Sequence, residues 1–306
     1  LLPAWAITSL SARGRIPFDA GYFDIVVFDE ASQCDIASAL PLLYRAKQAV
    51  IIGDPKQLRH ISGLQKGQDQ QLLGKYDLIP EYARWAYSYN SLFDLASGLV
   101  SKNDIINLRD HHRSHSEIIG FSNQEFYEGN LRVATNYDCL KFLDSEKNGI
   151  RWVNVIGSVK RPSTGGAINE IEAKSVVKEI EKLVTERNYK GSIGVVTPFR
   201  AHANLIRKIV NDNSILQSKL VNHDFLVDTV HKFQGDERDV MIFSPVVSKN
   251  MPEGALGFMR NNGNLFNVAI TRARAMLLVV GDQSAIIKCK VSYLENFVKY
   301  TQQLES

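Results

Sequence analysis

The run Phe23-Asp24-Ile25-Val26-Val27-Phe28-Asp29-Glu30-Ala31-Ser32-Gln33 decides the fold. An apolar segment of strand length ends abruptly in two adjacent carboxylates. Strands buried on both faces of a parallel sheet read as continuous hydrophobic runs of this kind, and an open α/β sheet binds ligands beyond the carboxyl ends of its strands. Oxygen donors placed there suit a hard divalent cation and the phosphate oxygens it bridges. Taken alone, such a pair is more often two solvated acids. The segment Ala49-Val50-Ile51-Ile52-Gly53-Asp54-Pro55-Lys56-Gln57-Leu58 changes that balance. It is a second apolar run with a polar end, in which Gly53 permits close backbone approach, Pro55 fixes a turn and Gln57 presents an amide. Between them Asp35 to Tyr44 reads as a short helix with Pro41 near its end, so the whole reads as a βαβ unit.

The same form recurs downstream. Val195-Val196-Thr197-Pro198-Phe199-Arg200 is a buried strand with a basic end. Val227 to Asp239 runs from a strand into the loop Phe233-Gln234-Gly235-Asp236-Glu237. Asn264 to Ala273 reads as a helix containing Thr271-Arg272-Ala273-Arg274, followed by a strand from Met276 to Val280. Residues 117–127 and 168–187 carry apolar residues at helical spacing, and residues 150–156 alternate as a strand does. Ile105 to Leu108 reads as a strand, followed by Arg109-Asp110-His111-His112-Arg113-Ser114-His115. The three histidines lack the carboxylate or cysteine partners of a metal site.

Six of these segments, in this order, resemble the motifs of superfamily 1 helicases. Asp29 to Gln33 is similar to motif II, Gly53 to Leu58 to motif III, and Leu108 to Tyr127, centred on Arg113, to motif IV. Val195 to Arg200 is similar to a nucleic-acid-contacting motif, Val227 to Asp239 to motif V, and Phe266 to Arg274 to motif VI. The Ser-Gln after the acids and the Phe-Gln-Gly are closest to the branch of subfamily 1B that includes the nonsense-mediated-decay helicase and senataxin. His111-His112-Arg113 departs from the Gln-Tyr-Arg common in the family.

The resemblance implies an α/β chain of two RecA-like domains, with parallel sheets flanked by helices. Residues 1–98 would be the C-terminal part of the first domain, incomplete at its N-terminus, and residues 99–306 the second. It implies ATP and Mg²⁺ as cofactors. Asp29 would hold the metal, Glu30 would position the attacking water, and Arg113 and Arg272 would neutralise charge on the γ-phosphate. Gln33, Asp54, Gln57, Gln234, Gly235 and Glu237 would line the nucleotide site. Thr8, Ser9, Thr197, Phe199, Arg200 and His231 would contact a single-stranded nucleic acid, DNA or RNA. Arg274, two residues on from Arg272, would face elsewhere on a helix. The second reading is a non-catalytic nucleic-acid-binding or scaffolding module on a helicase fold.

Bulk properties are ordinary for a soluble globular protein; the oligomeric state is open, with a monomer expected. The 306 residues suffice for two domains with real cores, and 44% hydrophobic with 23% charged residues is ordinary. A net charge of +3 makes any basic footprint local. Cys34, Cys139 and Cys289 are widely spaced, which favours a reducing compartment, cytoplasmic or, in a eukaryote, nuclear. No run is long and apolar enough for a membrane span. A phosphate-binding loop ending in Gly-Lys-Ser/Thr is lacking: the Gly74-Lys75 pair is followed by Tyr76. With no methionine at its start, the chain reads as a fragment of a longer protein, inactive until that loop completes it.

Overall fold

Ahead of the acid-ended run, Ser9–Ala12 make one helical turn, α1. The run itself is a strand. In a computed structural model that describes residues 4–81, 83–143, 148–233 and 235–305, β1 spans Phe23–Phe28 and pairs in parallel with β2, Ala46–Ile51. The crossover is α2, Ile36–Tyr44, with Pro41 inside it and Asp35 as its cap, the Asp35 carboxylate accepting the Ser38 amide at 2.8 Å. The expected βαβ unit is therefore present. Phe28, Ala31 and Ala39 pack with Leu92 of α4 (Leu92–Ser97), while α3 (Lys66–Lys75) occupies the Gln- and Gly-rich segment between. The opposite sheet face is uncovered: Ile25, Val27, Val50 and Ile52 are 45–58% exposed.

The rest of the chain builds a larger sheet. A short parallel pair, β3 (Asp110–His111) and β4 (Arg132–Val133), flanks α5, Ser116–Phe126. Five further strands follow: β5 (Gly149–Asn154), β6 (Ile193–Thr197), β7 (Leu226–Thr229), β8 (Arg238–Phe243) and β9 (Ala273–Gly281). They form one parallel sheet in the order β5-β9-β8-β6-β7. Helices α6 (Glu170–Glu181), α7 (Arg200–Asn211) and α8 (Ser214–Leu220) cover one face with Val176, Ile180, Ile206 and Leu216. The other face is an aromatic layer. Phe243 of β8 meets Phe266 of α10, and Phe266 meets Phe297 of α12, at 5.4 and 5.2 Å between ring centres. Helices α9 (Glu253–Arg260) and α10 (Gly263–Ile270) lie between β8 and β9, and α11 (Gln283–Lys288) and α12 (Ser292–Glu305) close the chain.

This strand order creates a switch point. The chain leaves β6 for β7 on one side and leaves β8 for β9 on the other, so the loops after β6 and β8 diverge. That divergence opens the crevice where open α/β sheets bind ligands. Thr197 and Ser244 stand at its two sides, with the Ser244 amide bonded to the Val196 carbonyl at 3.0 Å.

The chain forms two compact units, Leu1–Leu108 and Arg109–Ser306. Two expectations are corrected. Ile105–Leu108 is not a strand, and Ile106 and Leu108 are 86% and 85% exposed. Among the described residues the short run finds no sheet neighbour, and the strand begins at Asp110. Arg274 lies in β9 and not on a helix. The Thr271 hydroxyl bonds the Asn267 carbonyl at 2.8 Å, taking a terminal helix acceptor just where the backbone turns into the strand.

Candidate nucleotide and nucleic-acid sites

In the first unit the two acids stand open at the carboxyl end of β1. Glu30 adopts a left-handed conformation, φ 53°, and its amide bonds the Asp29 carboxylate at 2.9 Å. Both residues are exposed. Gln33 donates its amide to Glu30 at 2.8 Å. Motifs II and III are locked together by backbone: Ala31 N bonds the Ile52 carbonyl at 2.7 Å, and a Cβ on Gly53 would lie 2.9 Å from Ser32 N. Asp54 accepts the Lys56 amide at 2.8 Å and the Gln57 side-chain amide at 3.1 Å, so Gln57 is docked on Asp54. Hard carboxylate oxygens in this arrangement fit a Mg²⁺–phosphate group. Thr8 caps α1, accepting the Ser11 amide at 3.3 Å, and Ser9 opens that turn.

In the second unit Arg113 and Arg274 converge on Glu237. Arg113 Nε lies 2.5 Å from one carboxylate oxygen and Arg274 Nε 3.4 Å from the other. Arg238, buried, braces the loop by bonding Asp236 at 2.5 Å and the Asp224 carbonyl at 2.7 Å. Gly235 takes φ +69°, a turn conformation that glycine adopts freely. Gln234 lies outside the described residues. Arg272 is only 4% exposed, and its Nε donates to the Val268 carbonyl at 3.2 Å. His111 accepts the Ser114 amide at 2.9 Å; burial, with Arg113, His112 and Arg272 nearby, pushes its pKa down to about 4. It is a neutral acceptor at neutral pH. His112 bonds the Ala134 carbonyl and His115 accepts the Glu117 amide. Among the described residues no cluster of three or more His, Cys, Asp or Glu is placed to hold a metal.

The expected nucleic-acid residues divide. Thr197 is fully buried and its hydroxyl finds no partner among the described atoms. Phe199 is 6% exposed and packs 6.0 Å from Phe258. Both therefore face inward, as residues closing a core strand do. Arg200 opens α7 on the surface; burial, with Arg200 nearby, lowers the His231 imidazole pKa. Arg200, Pro198, Arg161, Gly166, Pro252 and Phe258 line an open cavity of about 330 Å³ at the switch point.

Sequence reasoning set Arg274 aside and missed Arg238, Arg161 and Phe258. The charged run Asp236-Glu237-Arg238-Asp239 at the mouth of an apolar strand was the available signal for a braced loop. Arg161 sits in a polar loop that carries no periodicity.

Parallel sheets flanked by helices, with the switch point between β6 and β8, are the architecture of a RecA-like α/β fold. An AAA domain model matches residues 89–284 and a second matches residues 7–61. The chain belongs to this family and, within it, to the superfamily 1 helicases of the senataxin branch. An uncharacterized ATP-dependent helicase of Mycoplasma genitalium is 30% identical over 90% of this chain and 24% of its own length. Helicase sen1 of Schizosaccharomyces pombe is 26% identical over 92% of this chain and 16% of its own. The probable helicase senataxin of Homo sapiens is 25% identical over 90% of this chain and 10% of its own. The chain thus spans a quarter or less of these relatives. A solved arterivirus helicase in complex with DNA covers 87% of this chain at 12% identity, with a TM-score of 0.37. No described helix is long and apolar enough to cross a membrane.

Proposed function

We propose that the chain is the core of an ATP-driven helicase or translocase that acts on single-stranded DNA or RNA inside the cell, as a monomer. The open Asp29–Glu30 pair at the carboxyl end of β1, in a chain of the helicase family, is the observation that carries this reading. Mg²⁺ bound with the nucleotide would offset the charge of its phosphates. Asp29 supplies an oxygen ligand to that ion. Glu30 orients a water and accepts its proton. Gln57, oriented by Asp54, reports the γ-phosphate. Arg113 and Arg272 of the second unit stabilise the charge that develops as the phosphoryl group transfers, an effect worth about 10³- to 10⁵-fold for such arginines. Arg200 and His231 hold the strand through its phosphates, which makes binding insensitive to sequence and sensitive to salt.

The phosphate-binding loop, on this reading, is supplied from outside these 306 residues. Two observations support that: no Gly-Lys-Ser/Thr occurs in the sequence, and one face of the β1–β2 sheet is apolar and uncovered, although parallel sheets are normally covered on both faces.

The test is Mg-ATP hydrolysis by the chain, with and without single-stranded DNA and RNA, beside Glu30→Gln. Joining the preceding segment of a longer relative to this chain should give turnover that nucleic acid stimulates and Glu30→Gln abolishes. Turnover by the joined protein that survives Glu30→Gln would overturn the assignment of the acid pair.

A further inference from the structure

A buried polar network at the switch point has no part in the nucleotide chemistry. Glu172, in the first turn of α6, is fully buried. Its Oε1 accepts the Ser244 hydroxyl at 2.5 Å and the Val246 amide at 2.8 Å, and its Oε2 accepts the Asn169 side-chain amide at 3.2 Å. His202 of α7 completes the set. Its Nδ1 accepts the Asn169 backbone amide at 3.3 Å, so its Nε2 carries the proton and donates to the Ser244 hydroxyl at 2.9 Å.

The loop held in this way, residues 244–250, is strained. Val246 is fully buried with φ +66°, and Asn250 has φ +64°. A β-branched residue in the left-handed region persists only where its surroundings over-determine it. The far end is gripped by a second buried acid: the Ser248 hydroxyl lies 2.8 Å from Asp282 Oδ2 and accepts the Gly157 amide at 3.1 Å. The loop surfaces beside residues 158–161. Lys249 O accepts the Val159 amide at 2.8 Å, and the Asn250 side chain donates to the Ser158 hydroxyl at 3.1 Å. Arg161, on the rim of the open cavity with Arg200, follows directly.

Filling a core position with an ionisable group is costly unless the group has directional work there. We propose that Glu172 is a positioning residue for nucleic-acid binding: through Ser244 and the Val246 amide it holds the 244–250 turn, which in turn fixes residues 158–161 and the Arg161 guanidinium at the strand-binding edge. This rests on the reading of that edge given above. Burial pushes the Glu172 carboxyl up to about 8, against its three hydrogen-bond donors, with Asp282 adding to the rise. Besides Asp282, His202 faces the network, and burial lowers its pKa to about 3.

The experiment compares the chain with Glu172→Ala, Glu172→Gln and Ser244→Ala. Affinity is read by fluorescence anisotropy of labelled 20-nucleotide oligo-dT and oligo-U, and loop order by amide hydrogen exchange over residues 244–250. Glu172→Ala should speed exchange at Val246 and weaken binding about tenfold, the scale of one lost buried hydrogen-bond anchor. Ser244→Ala, a smaller change that keeps the fold if Glu172→Ala does not, should move both readouts the same way. Glu172→Gln keeps the side-chain shape and an oxygen that can accept from Ser244 and Val246, and should restore most of both. Faster exchange with affinity within twofold of the parent would overturn the positioning role, as would unchanged exchange. A parent chain that binds neither oligonucleotide would instead sink the strand-binding reading, and this inference with it.

Discussion

Arg113 and Glu237 form a direct ion pair, Nε to Oε2, at 2.5 Å, joining the loop before α5 to the loop before β8. The second carboxylate oxygen faces Arg274 at 3.4 Å. The Arg113 and Glu237 side chains are 37% and 38% exposed, so water screens their attraction. A pair of this kind adds little to the fold. An incoming phosphate group would compete with Glu237 for the same guanidinium.

A double-mutant cycle separates the two roles. Arg113→Ala and Glu237→Ala, singly and together, should show a coupling in urea unfolding of under ~1 kcal/mol. In a protein completed by its phosphate-binding loop, Arg113→Ala should lower ATP turnover by about 10³-fold or more. A coupling of several kcal/mol would make the pair a structural strut and remove the reason to assign Arg113 to the nucleotide.

Gly53 tests the lock between the two strand ends of the first unit. A Cβ there would meet Phe93 Cδ2 at 2.8 Å and Ser32 N at 2.9 Å, and backbone cannot swing aside as a flexible side chain can. Gly53→Ala should destabilise the first unit by about 1–3 kcal/mol, as overpacking does. Gly14→Ala, where a Cβ meets nothing within 4 Å, is the control. Equal unfolding midpoints for the two variants would refute the close approach.

Thr197 and Arg200 lie three residues apart on one motif and should behave oppositely. The buried Thr197 hydroxyl lacks a partner among the described atoms, so Thr197→Val keeps the shape and removes an unsatisfied group. It should leave single-strand affinity within twofold and stability unchanged or slightly raised. Arg200→Ala should weaken binding to every sequence alike and reduce the slope of log affinity against log salt by about 1. A large affinity loss in Thr197→Val would show that the hydroxyl turns outward on binding.

The pattern of apolar runs with polar ends made the parallel sheets legible, because a buried parallel strand has almost no other way to be written. Acid pairs and arginines were legible as candidates for the same reason: they stand where the runs stop. What stayed hidden depends on the third dimension. Ile105–Leu108 has the composition of a strand but no sheet to join, and Arg274 changes element because Thr271 ends its helix one turn early. Glu172 looks like any solvated acid at the start of a helix. Only the strand order, which brings the β6 and β8 loops against α6, shows that it is buried.

That burial carries a pH signature with opposite slopes. His202 has a folded pKa lowered to about 3 from 6.5, so its contribution is present above 6.5 and is lost as pH falls toward 3. Glu172 has a folded pKa raised to about 8 from 4.5, so its contribution is fully present below 4.5 and is lost as pH rises through 8. Between 4.5 and 6.5 the two slopes oppose each other. Between 6.5 and 8 only the Glu172 slope remains, and stability should fall there. Urea midpoints measured at pH 6 and pH 8.5 should therefore drop for the parent chain, by an amount on the order of 1–3 kcal/mol in unfolding free energy. In Glu172→Gln, which cannot ionise, the drop should largely vanish. An equal drop in both proteins would show that Glu172 does not take up a proton in the folded state, and that the network holds the 244–250 turn in its charged form.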